Sequence, residues 1–129
     1  GKGSILVMDD EEAIRDFVGD TLTAFGYEVA FAHDGAEAIA AYQHAQNTGQ
    51  PFDAIIMDLT IPGGMGGKEA MARIHAYDPQ VKAIVASGYS NDPIMTEYQR
   101  DHFRACIAKP YKAIALTRIL HDVLTDNPT

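Results

Sequence analysis

A chain of 129 residues is long enough for one domain with a substantial buried core, and 47% hydrophobic with 22% charged residues is the balance of an ordinary globular protein. The net charge of −8 argues against nucleic-acid binding by this domain, which would need a basic surface. The single cysteine, Cys106, excludes an internal disulfide and suits a reducing compartment, and no apolar run approaches membrane-spanning length. The expectation is a cytoplasmic domain without direct membrane contact, whether or not a parent protein is membrane-anchored. The chain begins Gly1-Lys2-Gly3 with no initiator methionine, so residues 1–129 are expected to be one domain cut from a longer protein.

Ile5-Leu6-Val7-Met8 is an unbroken apolar run, predicted as a strand buried on both faces. It ends in Asp9-Asp10-Glu11-Glu12, whose acids complement the dipole of a following helix. Ile14, Phe17, Val18, Leu22 and Phe25 fall close to the spacing of a core-facing stripe, and Gly26 is a left-handed stop. Tyr27 to Ala32 is predicted as the second strand. His33-Asp34-Gly35 then turns into an Ala-rich helix from Ala36 to Gln46, and a polar loop leads to a third strand, Ala54 to Asp58. That strand is again apolar without alternation and closes on a carboxylate.

Beyond the Gly-rich stretch Pro62 to Gly67, a helix from Lys68 to Tyr77 should turn Ala70, Met71 and Ile74 inward, with Asp78-Pro79 as its stop. Val81 to Ala86 is the fourth strand, followed by Ser87-Gly88. Asn91-Asp92-Pro93 is a capped helix start, and the helix it opens is weakly patterned, with Ile94, Met95 and Tyr98. Ala105 to Ala108 is the fifth strand, leading to Lys109-Pro110. Ile114, Leu116, Ile119, Leu120, Val123 and Leu124 mark a final amphipathic helix. Five strands alternating with five helices imply a doubly wound α/β domain with a parallel sheet and right-handed crossovers.

In such sheets ligands bind outside the carboxyl ends of the strands. Asp9 and Asp10 close the first strand, Asp58 the third, Ser87 the fourth and Lys109 the fifth, so all five gather on one edge. Three close carboxylates repel, which calls for a bound proton or a cation. An oxygen-only set suits Mg²⁺ rather than zinc. Lys109 is a compact positive charge and Ser87 a hydroxyl donor. Together these are the parts for phosphoryl transfer onto a carboxylate. Lys109 should offset part of the carboxylate repulsion, so its removal is expected to stabilise the fold or barely perturb it.

The motifs Leu-Val-Met-Asp9-Asp10-Glu, Ile-Ile-Met-Asp58-Leu-Thr-Ile-Pro-Gly-Gly-Met-Gly-Gly, Ala-Ser87-Gly and Ala-Lys109-Pro110-Tyr jointly resemble a response-regulator receiver domain along essentially the whole chain. The resemblance implies a flavodoxin-like sheet in the order 2-1-3-4-5. It implies that Asp58 accepts phosphate from the phosphohistidine of a histidine kinase or phosphotransfer domain. Asp9 and Asp10 would hold Mg²⁺ beside Asp58, with the backbone carbonyl of Thr60 completing the site. Ser87 and Lys109 would grip the phosphoryl group, and a cis bond before Pro110 would shape the loop that orients Lys109. The domain would not be an enzyme in its own right beyond self-catalysed phosphoryl transfer and autodephosphorylation at Asp58. The opening of the chain resembles receivers attached behind a sensor kinase core, as in a hybrid histidine kinase. A homodimer through the face of the fourth helix and fifth strand is a further expectation.

One position departs from the family pattern. Three residues before the lysine, receivers usually carry Tyr or Phe, and here stands Cys106. Switching is therefore assigned to Ser87, Tyr89 and Cys106, with the loop from Ser87 to Asp92 moving. Other readings are weaker. Gly63-Gly64-Met65-Gly66-Gly67-Lys68 fails as a P-loop, because Pro62 stands where its first Gly belongs and Glu69 where Ser or Thr is required; a flexible loop beside the acceptor is expected instead. His121-Asp122 resembles a phosphohistidine dipeptide but lies within a core-bearing helix. A haloacid dehalogenase-type phosphatase needs a second acid two residues after its nucleophile, and that place holds Thr60. A phosphorylation-independent docking module would be favoured by loss of Asp10, Asp58 or Lys109, and all three are present.

Overall fold

The computed structural model describes residues 2–89 and 91–125. Five strands, β1 (Ser4–Met8), β2 (Glu28–Ala32), β3 (Ala54–Asp58), β4 (Ala83–Ser87) and β5 (Ala105–Ala108), form one parallel sheet in the order β2-β1-β3-β4-β5. Five helices connect and cover them: α1 (Glu12–Ala24), α2 (Gly35–Asn47), α3 (Gly67–Tyr77), α4 (Ile94–Glu97) and α5 (Ala113–Thr125). The pleat explains the unbroken apolar runs. Leu6 and Met8 of β1, with Ile55 and Met57 of β3, face the layer of α2 and α3, while Ile5, Val7, Ala54 and Ile56 face α1 and α5. Every residue of β3 and β4 is buried, each large apolar side chain contributing about 1.5–3 kcal/mol.

Helix α3 turns Ala70, Met71 and Ile74 inward as its spacing predicts. Helix α1 does not keep the full predicted stripe. Only Val18, Gly19 and Leu22 are buried, and Phe17 and Phe25 are 39% and 51% exposed. Phe31 of β2 packs against the helix at Gly19, where a Cβ would stand 2.6 Å from the ring. Phe17 instead packs its ring 6.3 Å from that of Tyr111, at the seam between α1 and the loop before α5. Ile114, placed in the final stripe, is also exposed.

The fourth strand begins at Ala83 rather than Val81, since the Val81 N–H closes a turn onto the Asp78 carbonyl. Asp92 caps the next helix as expected, its Oδ1 accepting from the Ile94 N–H at 2.9 Å. Helix α4 then lasts only four residues before tightening into a 3₁₀ turn over Tyr98–Asp101 and ending at His102 with φ of 72°. At the amino-terminal edge of the strands, Asp53 donates to Ser4 O at 2.7 Å and accepts from Ser4 N at 2.8 Å. Lys82 Nζ reaches Leu124 O at 3.3 Å, which brings the end of α5 to the same edge.

Candidate functional site

Parallel pairing aligns the ends of the strands: Met8 pairs with Met57, Asp58 with Ala86, and Ser87 with Ala108. The next residues of β1 and β5, Asp9 and Lys109, therefore rise beside Asp58 at the carboxyl-terminal edge. Lys109 Nζ donates to Asp9 Oδ2 at 2.7 Å and to Asp58 Oδ2 at 3.0 Å. The peptide bond to Pro110 is cis, as the resemblance implies. Asp9 and Asp58 are both buried, and Asp10 is exposed at the rim. One carboxylate oxygen from each of the three lies within 4.8 Å of the others. Thr60 stands beside the same group, its N–H 3.4 Å from Asp58 Oδ1.

Burial raises the Asp58 carboxyl above its ordinary value, and Lys109 offsets this only in part. Burial alone would lower the Lys109 ammonium, but its hydrogen bonds with Asp9 and Asp58 outweigh that and raise it. An ammonium that bridges two buried carboxylates is structural as well as chemical. This geometry argues against the expectation that its removal stabilises or barely perturbs the fold, because the loss would leave two buried charges facing each other.

Ser87 lies at the expected edge, buried, but its hydroxyl is not turned to Asp58. Ser87 Oγ donates to the Tyr89 carbonyl and accepts from the Tyr89 N–H, both at 3.1 Å. Tyr89 itself is 70% exposed. Cys106 is half-buried on β5, and its Sγ donates to the Met95 carbonyl of α4 at 3.4 Å. Burial pushes its thiol up, away from the reactive thiolate.

The glycine-rich loop is shaped by close approach of backbone. A Cβ on Gly66 would stand 2.2 Å from the Leu59 carbonyl oxygen, and one on Gly67 would stand 2.7 Å from that of Asp58. Crowding beneath Asp58, not freedom of motion, demands glycine at these two positions.

Two neighbours of the site carry weaker sequence signals. Arg15 Nη1 donates to the Asp9 carbonyl at 2.7 Å. Its signal was a lone cation in an acidic first turn. Tyr111 follows the cis bond, and burial pushes its hydroxyl up to about 12, with smaller opposing influences from Lys109 and from Asp9 and Asp58.

Residues 5–121 match the response regulator receiver domain family. The chain belongs to that family. This receiver domain is 31% identical over 120 residues to the chemotaxis protein CheY of Thermotoga maritima, covering 92% of this chain and 95% of that protein. It is 38% identical over 88 residues to CqsS, a CAI-1 autoinducer sensor kinase/phosphatase of Vibrio cholerae, covering 68% of this chain and 12% of that protein. The Vibrio cholerae chemotaxis protein CheY4 shares the fold with a TM-score of 0.84 and 28% identity, covering 95% of this chain and 99% of that one. A receiver of the CheY type has a phosphoacceptor role in two-component signalling, and the dehalogenase-type reading finds no support. No helix among the described residues is long and apolar enough to cross a membrane.

Proposed function

We propose that this receiver domain takes a phosphoryl group onto Asp58 from a phosphohistidine of a kinase or phosphotransfer partner, and signals by the conformational change that follows. The observation that carries the reading is the Lys109 bridge from Asp58 to Asp9, with Asp10 alongside. An Asp58 oxygen attacks phosphorus as the bond from phosphorus to the imidazole nitrogen breaks, and the electron pair leaves with the ring. Lys109 begins beside the attacking carboxylate and follows the charge that gathers on the phosphoryl oxygens. The donor set of three carboxylate oxygens is the chemistry of a hard cation. Asp9, Asp10, Asp58 and the Thr60 carbonyl would hold Mg²⁺, which when bound neutralises charge on the phosphoryl oxygens.

To donate to a phosphoryl oxygen, the Ser87 hydroxyl has to give up its bond to the Tyr89 carbonyl, which would loosen the start of the loop after β4. This supports Ser87 and Tyr89 as the moving parts of the switch, with Cys106 as its link to α4. The reading extends to a cytoplasmic setting, a hybrid histidine kinase as parent, and a homodimer through the α4 and β5 face. The match to a short part of a sensor kinase supports the parent assignment.

Incubation with acetyl phosphate or phosphoramidate and Mg²⁺ should add one phosphate by intact-mass spectrometry, and Asp58→Asn should abolish it. Equal labelling of the Asn variant, or labelling in excess EDTA, would refute this assignment.

A further inference from the structure

Arg15 stands in the first turn of α1, where the helix dipole disfavours a cation, and its side chain folds back past the helix start to the Asp9 carbonyl at 2.7 Å. With that contact every polar group of Asp9 is fixed. Its N–H donates to the Ala32 carbonyl at 3.0 Å, Oδ1 accepts from the Glu11 N–H at 2.9 Å, and Oδ2 accepts from Lys109 at 2.7 Å. Asp10 has no such enclosure, being exposed at the rim. Its position depends on the peptide that joins it to Asp9. That unit is planar, so holding its oxygen also holds its N–H and restricts where the next Cα can go. The guanidinium is thus the grip on the turn that carries Asp10.

We infer that Arg15 is a positioning residue for the acidic pocket: through the Asp9 carbonyl it sets where the Asp10 carboxylate stands for a divalent cation. This rests on the reading of Asp9, Asp10 and Asp58 as a metal site. The charge of Arg15 works in the other direction, since a nearby cation repels a metal ion. The two effects separate by sign. If positioning dominates, removing the guanidinium weakens metal binding; if charge dominates, removing it strengthens binding. Outer-shell groups that orient metal ligands are worth about 10–100-fold in affinity.

The experiment is a Mg²⁺ titration followed by backbone amide shifts, on the wild type, Arg15→Met and Arg15→Lys, with metal-free melting curves as the check on folding. Arg15→Met keeps the apolar stem and should weaken Mg²⁺ binding by about 10-fold. Arg15→Lys restores a charged donor and should recover part of that loss. In metal-free protein the Asp10 amide resonance should move in Arg15→Met more than the resonances of β3 do. Unchanged or tighter Mg²⁺ binding by Arg15→Met overturns the proposal while leaving the metal site intact. Absence of any Mg²⁺ response in the wild type overturns the metal reading, and the role of Arg15 with it.

Discussion

Replacing Lys109 with Met tests whether the bridge holds the fold together as well as the chemistry. The ammonium stands 2.7 Å from Asp9 and 3.0 Å from Asp58, so at an effective dielectric of about 20 each contact is an attraction of about 6 kcal/mol before desolvation is counted. Without it, Asp9 and Asp58 face each other with oxygens no more than 4.8 Å apart, a repulsion of at least about 3.5 kcal/mol on the same scale. The pair can escape by binding a proton. At pH 7 that costs about 4 kcal/mol from an ordinary carboxylate pKa near 3.9, which caps the penalty. The expected loss is therefore about 3–4 kcal/mol, in the range for breaking a buried ion pair. Urea unfolding in EDTA at pH 7 should show it. The loss should shrink toward pH 5, because protonation becomes easier, and adding Asp58→Asn to Lys109→Met should recover most of it by removing one of the two charges. A loss below about 1 kcal/mol at pH 7, or an equal loss in the Asp58→Asn background, refutes the reasoning.

Asp58→Asn alone should stabilise the metal-free domain at neutral pH. A carboxyl whose folded pKa is raised binds protons more tightly in the folded state, so its penalty is present above the folded value and disappears as pH falls below the unfolded one; unfolding titrations of the variant and wild type should converge in acid. Gly66→Ala should cost more than about 2 kcal/mol, since its Cβ meets the Leu59 carbonyl, and a melting temperature equal to wild type would contradict that contact. Tyr42→Phe removes the 2.6 Å hydrogen bond to Asp78 and should cost about 1–2 kcal/mol at pH 7. Burial, followed by Asp78, raises the Tyr42 hydroxyl, so the wild type should lose stability as pH rises past about 10, where the unfolded tyrosine ionises, and the variant should lose less. With beryllofluoride, a phosphoryl mimic, Tyr89→Ala should blunt the amide-shift response of α4 more than Cys106→Ala does; the opposite ranking would place the switch on Cys106.

Strand positions were legible because a strand buried on both faces leaves uninterrupted apolar runs, as in Ile5 to Met8 and Ala54 to Met57, whereas the sheet order followed only from the family resemblance. The acidic edge was legible for a related reason: Asp9, Asp58, Ser87 and Lys109 each stand where such a run stops. Helix faces were less legible. Periodicity places Phe17 and Phe25 on the same stripe as Val18, but it cannot register that Phe31 fills the gap over Gly19, a contact between residues distant in sequence. Helix α4 has too few apolar positions for a period to emerge, and nothing in its pattern announces the bond from Cys106 to the Met95 carbonyl. The orientation of the Ser87 hydroxyl depends on the path of its own loop, and residue type does not encode that path. Arg15 was hidden because a side chain that folds back on the preceding turn leaves no periodic trace.

The junction of Ser4, Asp53, Lys82 and Leu124 lies at the opposite edge of the sheet from Asp58. A tether joined at that junction would be attached at the sheet edge opposite the acidic pocket. A tether attached there can restrict how far the domain wanders without restricting which way the pocket points. For a short flexible linker the resulting effective concentration at a neighbouring partner is on the order of millimolar. Under that condition transfer is limited by productive encounters of a leashed module rather than by its affinity in free solution. Lengthening the leash should then slow signalling gradually, without altering the chemistry at Asp58.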